Sequence, residues 1–231
     1  MNLFYSPHIE GDTFVLDEKE SKHSVRVLRL GIGDRVVLVD GRGGWYEAVI
    51  KEDHPKRCQL KILSHTRDYQ PLSYNLHIAV SPTKNMERFE WFLEKSTEIG
   101  ITEITPLICH RSERKKLKME RLERILISAM KQSLKAFMPI LHDPVNLEEF
   151  IEQDIVGTKG IAHCYSTDRR GFAELDRSDH YTLLVGPEGD FTKEEVALAL
   201  HAGYAPFHLG QSRLRTETAA VYLCAAVQLI Q

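Results

Sequence analysis

The sequence predicts an α/β protein in two parts: a small N-terminal β-barrel, then a larger α/β domain built on a mostly parallel sheet. Three observations carry this reading. Short alternating or β-branched runs fill about the first 65 residues, strand-like and helix-like runs alternate from residue 74 onward, and the last run is apolar nearly all round.

In the first part the runs at 14–16, 25–28, 36–39, 45–50 and 58–63 read as strands, with turns at 31–34 and 41–44. Gly41, Gly43 and Gly44 lack the G-x-G-x-x-G spacing and precede a strand-like run, so they predict a hairpin turn and not a dinucleotide loop. Phe4 and Tyr5 read as a buried N-terminal strand, with base stacking as the other use of two adjacent aromatics. The polar stretch at 64–73 separates the two parts, which places the domains at 1–70 and 71–231.

The second part begins with a strand at 74–80 and a helix at 85–99, which Asn85 caps and Gly100 ends. Further strands are expected at 104–109, 160–165, 181–185 and 206–209, and further helices at 117–137, 147–153, 193–202 and 217–230. Strands that alternate with helices imply a mostly parallel sheet covered on both faces. Thr192 and Glu195 have capping-box spacing at the start of one helix. The last helix carries Ala219, Ala220, Leu223, Cys224, Ala226, Val227 and Leu229, so its own sheet or a partner chain must cover it.

With 42% hydrophobic and 27% charged residues the composition is that of a soluble globular protein. The N-terminus lacks the pattern of a secretory signal, and no apolar run approaches the ~20 residues of a membrane span, so a cytoplasmic protein without membrane association is expected. Cys58, Cys109, Cys164 and Cys224 are far apart and fall in strand-like or helix-like contexts that predict buried, reduced thiols, with no disulfide and no zinc site. The eleven histidines show no ligand spacing and no metal is expected.

The net charge of −3 is uneven, because residues 111–135 hold nine Lys or Arg against three Glu. Arg111, Arg114, Lys115, Lys116 and Lys118, with Arg26 and Arg29 in the first part, are therefore candidate contacts to nucleic-acid phosphates. A solvated helix face with pairs such as Glu120 and Arg124 accounts for the same charges equally well.

Two segments near the C-terminus are the most informative. Leu184, Val185, Gly186, Pro187, Glu188 and Gly189 form one; Leu209, Gly210, Ser212, Arg213, Leu214, Arg215, Thr216, Glu217 and Ala219 lie in the other. Each follows a strand-like run and opens onto a helix-like one, which is where an open α/β sheet collects ligands. Neither contains a P-loop lysine, which argues against a nucleoside triphosphate. Backbone amides, apolar flanks, hydroxyls and carboxylates suit an adenosine with a cationic appendage.

These segments, together with Lys84, Glu87-Arg88, 94–100, Ser112-Glu113-Arg114 and Gln132-Ser133 in the same order, resemble the blocks of the bacterial 16S rRNA (uracil-N3)-methyltransferases of the SPOUT superfamily. The resemblance covers essentially the whole chain. It implies a PUA-like barrel, an α/β domain tied in a deep trefoil knot, a homodimer, S-adenosyl-L-methionine as cofactor, and 16S rRNA in the small ribosomal subunit as substrate. By motif match the cofactor would contact residues 184–189 and 209–219, with His163, Cys164 and Tyr165 as a third wall. Asp190, Ser212 and Arg213 depart from the family pattern, which usually has glycine, arginine and an aliphatic residue there.

Methylation at uracil N3 requires loss of the imide proton and stabilisation of the resulting anion, roles for which Arg215, then Arg213, then Glu217 are the candidates. A carboxylate in a first helical turn, as at Glu217, is equally expected on structural grounds. Two other readings share the fold: an RNA-binding protein that has lost the chemistry, and a knotted methyltransferase acting on another RNA.

Overall fold

The computed structural model describes residues 1–165 and 169–231. The chain divides into two compact units, Met1–Pro71 with Met130–Met138, and Leu72–Ala129 with Pro139–Gln231. Residues 130–138 thus belong to the first unit although they lie far along the chain.

The first unit is a five-stranded half-barrel sheet of β1 (Leu3–Tyr5), β2 (Thr13–Val15), β3 (Arg35–Val39), β4 (Trp45–Glu52) and β5 (Gln59–Thr66), in the order β1-β3-β4-β5-β2. Only the β1–β3 pairing is parallel. Alternation sends Val36, Leu38, Ala48, Ile50 and Leu60 onto one face, where they bury Phe4 of β1; Tyr5 is half-buried. The turn at 41–44 is held by Asp40, whose Oδ1 accepts from the amides of Arg42 and Gly44 at 2.8 and 2.9 Å. Gly43, at φ 95°, packs so closely on Phe137 that an added Cβ would lie 2.4 Å from the ring.

The strand expected at 25–28 does not form. Asp17 caps α1 (Glu18–Lys22) by accepting from Glu20 N, and the coil continues as a π-helix at His23–Val27, closed by Leu28 N donating to His23 O at 2.9 Å. The local cap and the buried Ser21, whose hydroxyl donates to Leu16 O and accepts from Cys58 N, override the β preference of Val25 and Val27.

The second unit is an all-parallel sheet of β6 (Asn75–Val80), β7 (Glu103–Ile108), β8 (Ile140–Leu141), β10 (Thr158–Ala162), β11 (Arg170–Gly171), β12 (His180–Val185) and β13 (Ala205–His208), ordered β11-β13-β10-β12-β6-β7-β8, with β9 (Val145–Asn146) also on β7. The two-residue strands β8, β9 and β11 are too short to show a period in sequence. Of the helices, α2 (Met86–Ile99) and α6 (Thr216–Ile230) pack together and α6 lies on β6 and β12, while α4 (Leu147–Ile151) and α5 (Lys193–His201) pack together elsewhere on the sheet. Phe150, Val196 and Ala199 join Ala79, Leu107, Ile161 and Leu184 in one buried cluster. The helix expected at 117–137 is shorter, α3 (Met119–Gln132), because Leu134 turns into the left-handed region at φ 56°.

Candidate functional site

Strand order creates the site. β10 lies between β12 and β13, so the carboxyl ends of three parallel strands stand side by side and the turns leaving them converge. Ala162, Val185 and Phe207 mark those ends, and a cleft of about 280 Å³ opens beyond them. The turn after β12 supplies Val185, Gly186, Pro187, Glu188 and Asp190; the segment after β13 supplies Leu209, Gly210, Ser212, Arg213, Leu214 and Arg215, then Thr216 and Ala219 of α6. His163, Cys164 and Arg169 form the third side.

The two turns are joined at their base. Thr216 Oγ1, buried, donates to Gly186 O at 2.9 Å, so the first turn of α6 holds the end of β12. Gly186 meets the Phe191 ring where a Cβ would come within 3.0 Å, which makes glycine the residue that fits there. Glu188 is engaged twice: its Oε1 accepts from Lys84 N at 2.9 Å and its carbonyl from Arg213 Nη2 at 3.4 Å. Asp190 has φ 66°, a left-handed backbone that glycine adopts without strain. Its carboxylate compensates, accepting from Cys164 N at 2.8 Å and Phe191 N at 2.9 Å and so tying the third wall to the turn.

His163 is 4% exposed, and neither ring nitrogen has a hydrogen-bond partner among the described residues. Burial, and then the nearby Arg169 guanidinium, push its pKa below the ordinary histidine value, partly offset by Asp190. At neutral pH the cleft therefore holds an uncharged imidazole with one donor and one acceptor unused. Arg169 Nη1 donates to His163 O, while its buried Nε has no partner among the described residues. With Arg213 and Arg215 it places three guanidinium groups around the cleft.

Several of the expected residues sit elsewhere. Leu184 is fully buried in the core and does not line the cleft, and Gly189 faces the Arg111 side chain instead. Glu217, 7% exposed, lines an adjoining hollow with Arg215, Arg88 and Trp91; Arg88 Nε lies 3.9 Å from its Oε1, and its Oε2 has no partner among the described residues. Arg111 is a brace: Nη1 donates to the carbonyls of Gly189 at 2.8 Å and Phe191 at 3.2 Å, beside Tyr165, whose hydroxyl donates to Phe191 O at 2.7 Å. Arg114 donates to Lys84 O at 3.1 Å. Lys115, Lys116 and Lys118 are exposed in the second unit, and Arg26 and Arg29 in the first. Cys164 is exposed, against the expectation of four buried thiols, because it lies past the end of β10 and not within it.

Phe207 and His208 also line the cleft; no motif marks them in the sequence, although the strand-end rule points at the end of β13. Arg169 carries no local signal; only the folded chain brings it to the cleft.

Residues 70–228 match the family model described as RNA methyltransferase domain, and residues 16–63 match RNA methyltransferase PUA domain. A Synechocystis sp. protein named ribosomal RNA small subunit methyltransferase E is 30% identical over 94% of this chain and 73% of its own length. The crystal structure of a probable rRNA-methyltransferase from Porphyromonas gingivalis matches with TM-score 0.93 and 41% identity, covering 100% of this chain and 98% of that one. A ribosomal RNA small subunit methyltransferase E from Neisseria gonorrhoeae, bound to S-adenosyl methionine, matches with TM-score 0.91 and 28% identity over 100% and 98% of the two chains. A fold, a strand-end cleft and a whole-chain likeness of this extent place the chain in the ribosomal RNA small subunit methyltransferase E family of RNA methyltransferases.

Proposed function

We propose that this protein transfers a methyl group from S-adenosyl-L-methionine to N3 of a uridine in the decoding region of 16S rRNA, acting as a cytoplasmic homodimer on the assembled small subunit, with the turns of its cleft threaded as a trefoil knot. The observation that carries the reading is the cleft beyond β10, β12 and β13, lined by glycine-bearing turns, by three arginines and by a buried imidazole whose nitrogens have no partner among the described residues.

The residues present fit a sulfonium nucleoside. Leu209, Leu214 and Ala219 offer apolar contact for a base, the turn at Gly186, Pro187 and Glu188 offers close backbone approach, and His163 offers both hydrogen-bonding senses without adding a charge. Bound there, the cofactor supplies an electrophilic methyl group.

The protein's own work is then alignment and charge stabilisation. Uracil N3 becomes a nucleophile only after its proton leaves, and the negative charge spreads over O2, N3 and O4. Arg215, exposed at the N-cap of α6 and shared between the cleft and the adjoining hollow, is the donor assigned to that charge. Arg213 stands behind it, tethered to the Glu188 carbonyl. Glu217 lies in the hollow with Arg215, placed to receive a proton or to hold an arginine. The exposed cations at 26, 29, 115, 116 and 118 are assigned to RNA phosphates.

Calorimetry with S-adenosyl-L-methionine tests the site, and nucleoside mass spectrometry of 16S rRNA from a deletion strain tests the reaction. Cofactor binding at micromolar levels and loss of 3-methyluridine are expected. Absence of binding at millimolar cofactor favours an RNA-binding protein without the chemistry, and unchanged 3-methyluridine points to another RNA. Arg215→Ala is expected to lower kcat about 100-fold or more while leaving cofactor affinity nearly unchanged; a loss confined to affinity would move Arg215 into the cofactor site.

A further inference from the structure

We propose that His77, Glu103 and His142 form a binding site for a divalent transition metal, zinc by its donor set, at the amino ends of the parallel strands, the end of the sheet opposite the cleft. One donor atom from each residue lies within 4.8 Å of the other two. Two imidazole nitrogens and a carboxylate oxygen are the ligand types of open zinc sites.

Sheet register brings the three together. His77 on β6 is the direct partner of Glu103 on β7, and β8 continues the order so that His142, just past Leu141, aligns beside Thr105, with its amide donating to Ile104 O at 2.9 Å. Residues paired across parallel strands share a face, so His77, Glu103, Thr105 and His142 project together, joined by Thr182 and His180 from β12. A parallel sheet covered on both faces is ordinarily apolar throughout. Here one face carries a run of polar side chains over a cavity of about 340 Å³ that Phe150 and Ile155 help to close.

The network is already arranged as ligands and their supports. His142 Nε2 and Glu103 Oε2 are 2.7 Å apart, and His77 Nε2 is 2.7 Å from Thr105 Oγ1, a hydroxyl that fixes the His77 ring. Zinc bonds of about 2.0–2.2 Å in a tetrahedron place donors about 3.4 Å apart, so rotation of the outer side chains closes the site. The His142 and Glu103 side chains are 40% and 35% exposed, which gives the ion a path in and the chains room to turn. An ion bound to both takes the place of the hydrogen bond between His142 Nε2 and Glu103 Oε2, and any proton it displaces leaves to solvent. Three adjacent strands would then be clamped at one end by a single ion, with a fourth position open to water.

The test uses the full chain carrying Cys164→Ser, which removes the exposed thiol. After treatment with a chelator it is titrated with Zn²⁺ by calorimetry and melted with and without the ion. One equivalent should bind, with a rise in melting midpoint, and His142→Ala or Glu103→Gln should weaken binding at least about 100-fold and abolish the rise. Imidazole NMR during the titration provides a readout that needs no variant: the His77 and His142 signals should move while the remaining nine histidines stay in place. The proposal is overturned if Zn²⁺ does not bind, if His142→Ala binds it as well as the parent, or if other histidines respond first. Co²⁺ in place of Zn²⁺ on the native chain distinguishes the chemistry, since a thiolate charge-transfer band would assign the metal to a cysteine and also overturn it.

Discussion

Single residues at the cleft show how local hydrogen bonds close a turn whose backbone is strained. Asp190 takes a left-handed backbone where glycine is usual, and its two carboxylate oxygens satisfy the amides of Phe191 and Cys164. Asp190→Ala keeps the backbone cost and loses both acceptors, so urea unfolding should show a loss of about 1–3 kcal/mol, and Asp190→Gly should recover much of it by relieving the backbone. Equal stability of the alanine variant and the parent would remove this account. His163 makes a prediction with a definite sign. Its pKa is held below the ordinary 6.5 by burial and by Arg169, against the pull of Asp190, so the folded state prefers the neutral ring and the unfolded state takes up the proton first. The stability it confers is present above the ordinary histidine pKa and is lost as pH falls below it. The melting midpoint should fall between about pH 7.5 and about pH 5.5, and His163→Gln should reduce that fall; contributions from groups elsewhere cancel in the comparison. An identical fall in both proteins would mean that His163 does not sense the pH.

At the scale of elements, signals contained within a few residues were legible and long-range ones were not. Thr192 and Glu195 predict a capping box from four consecutive residues, and the structure shows both arms: Thr192 Oγ1 accepts from Glu195 N at 3.1 Å and Glu195 Oε2 from Thr192 N at 2.7 Å. Its third bond lay outside any local pattern, because Glu195 Oε1 also accepts from His110 N at 2.7 Å, fastening α5 to the turn that carries Arg111. The same contrast explains the other differences. Asn85 and Gly100 bound α2 as expected, since caps are local, whereas the Val25 and Val27 alternation gave way to a helix that Asp17 starts and Ser21 anchors. His77, Glu103 and His142 are separated by 26 and 39 positions and meet only through sheet order, which no spacing rule reaches. The double duty of Glu195 separates two variants. Thr192→Ala removes one cap and should cost about 1 kcal/mol, whereas Glu195→Ala strands two amides and should cost about 2–3 kcal/mol. Only the second should also weaken cofactor binding, through Arg111 and the Gly189 carbonyl. Equal costs, or affinity unchanged in both, would sever that link.

For the whole molecule the decisive feature is the two-sided character of α6. Ala219, Ala220, Leu223, Cys224 and Val227 are buried, and the helix packs on α2, β6 and β12. The opposite stripe, Thr218, Tyr222, Ala225 and Leu229, advances by four, three and four residues and so runs along one face. Tyr222 is 51% and Leu229 86% exposed, and on α2 Trp91 is 43% exposed beside the hollow that Thr218 also lines. A sequence apolar nearly all round therefore resolves into one side that its own unit buries and one that a second copy is proposed to cover. Since Arg215 and Glu217 line that same hollow, a partner seated there would border Arg215, the donor assigned to the uridine anion, and the carboxylate beside it. Tyr222→Glu places a charge on this stripe without touching the buried side. Sedimentation should then show a dimer in the parent and a monomer in the variant at micromolar concentration, with circular dichroism unchanged. Turnover on small subunits should fall with the loss of the dimer and recover as protein concentration is raised. A variant that stays dimeric would place the interface elsewhere, and a monomer of full activity would separate the chemistry of Arg215 from any partner.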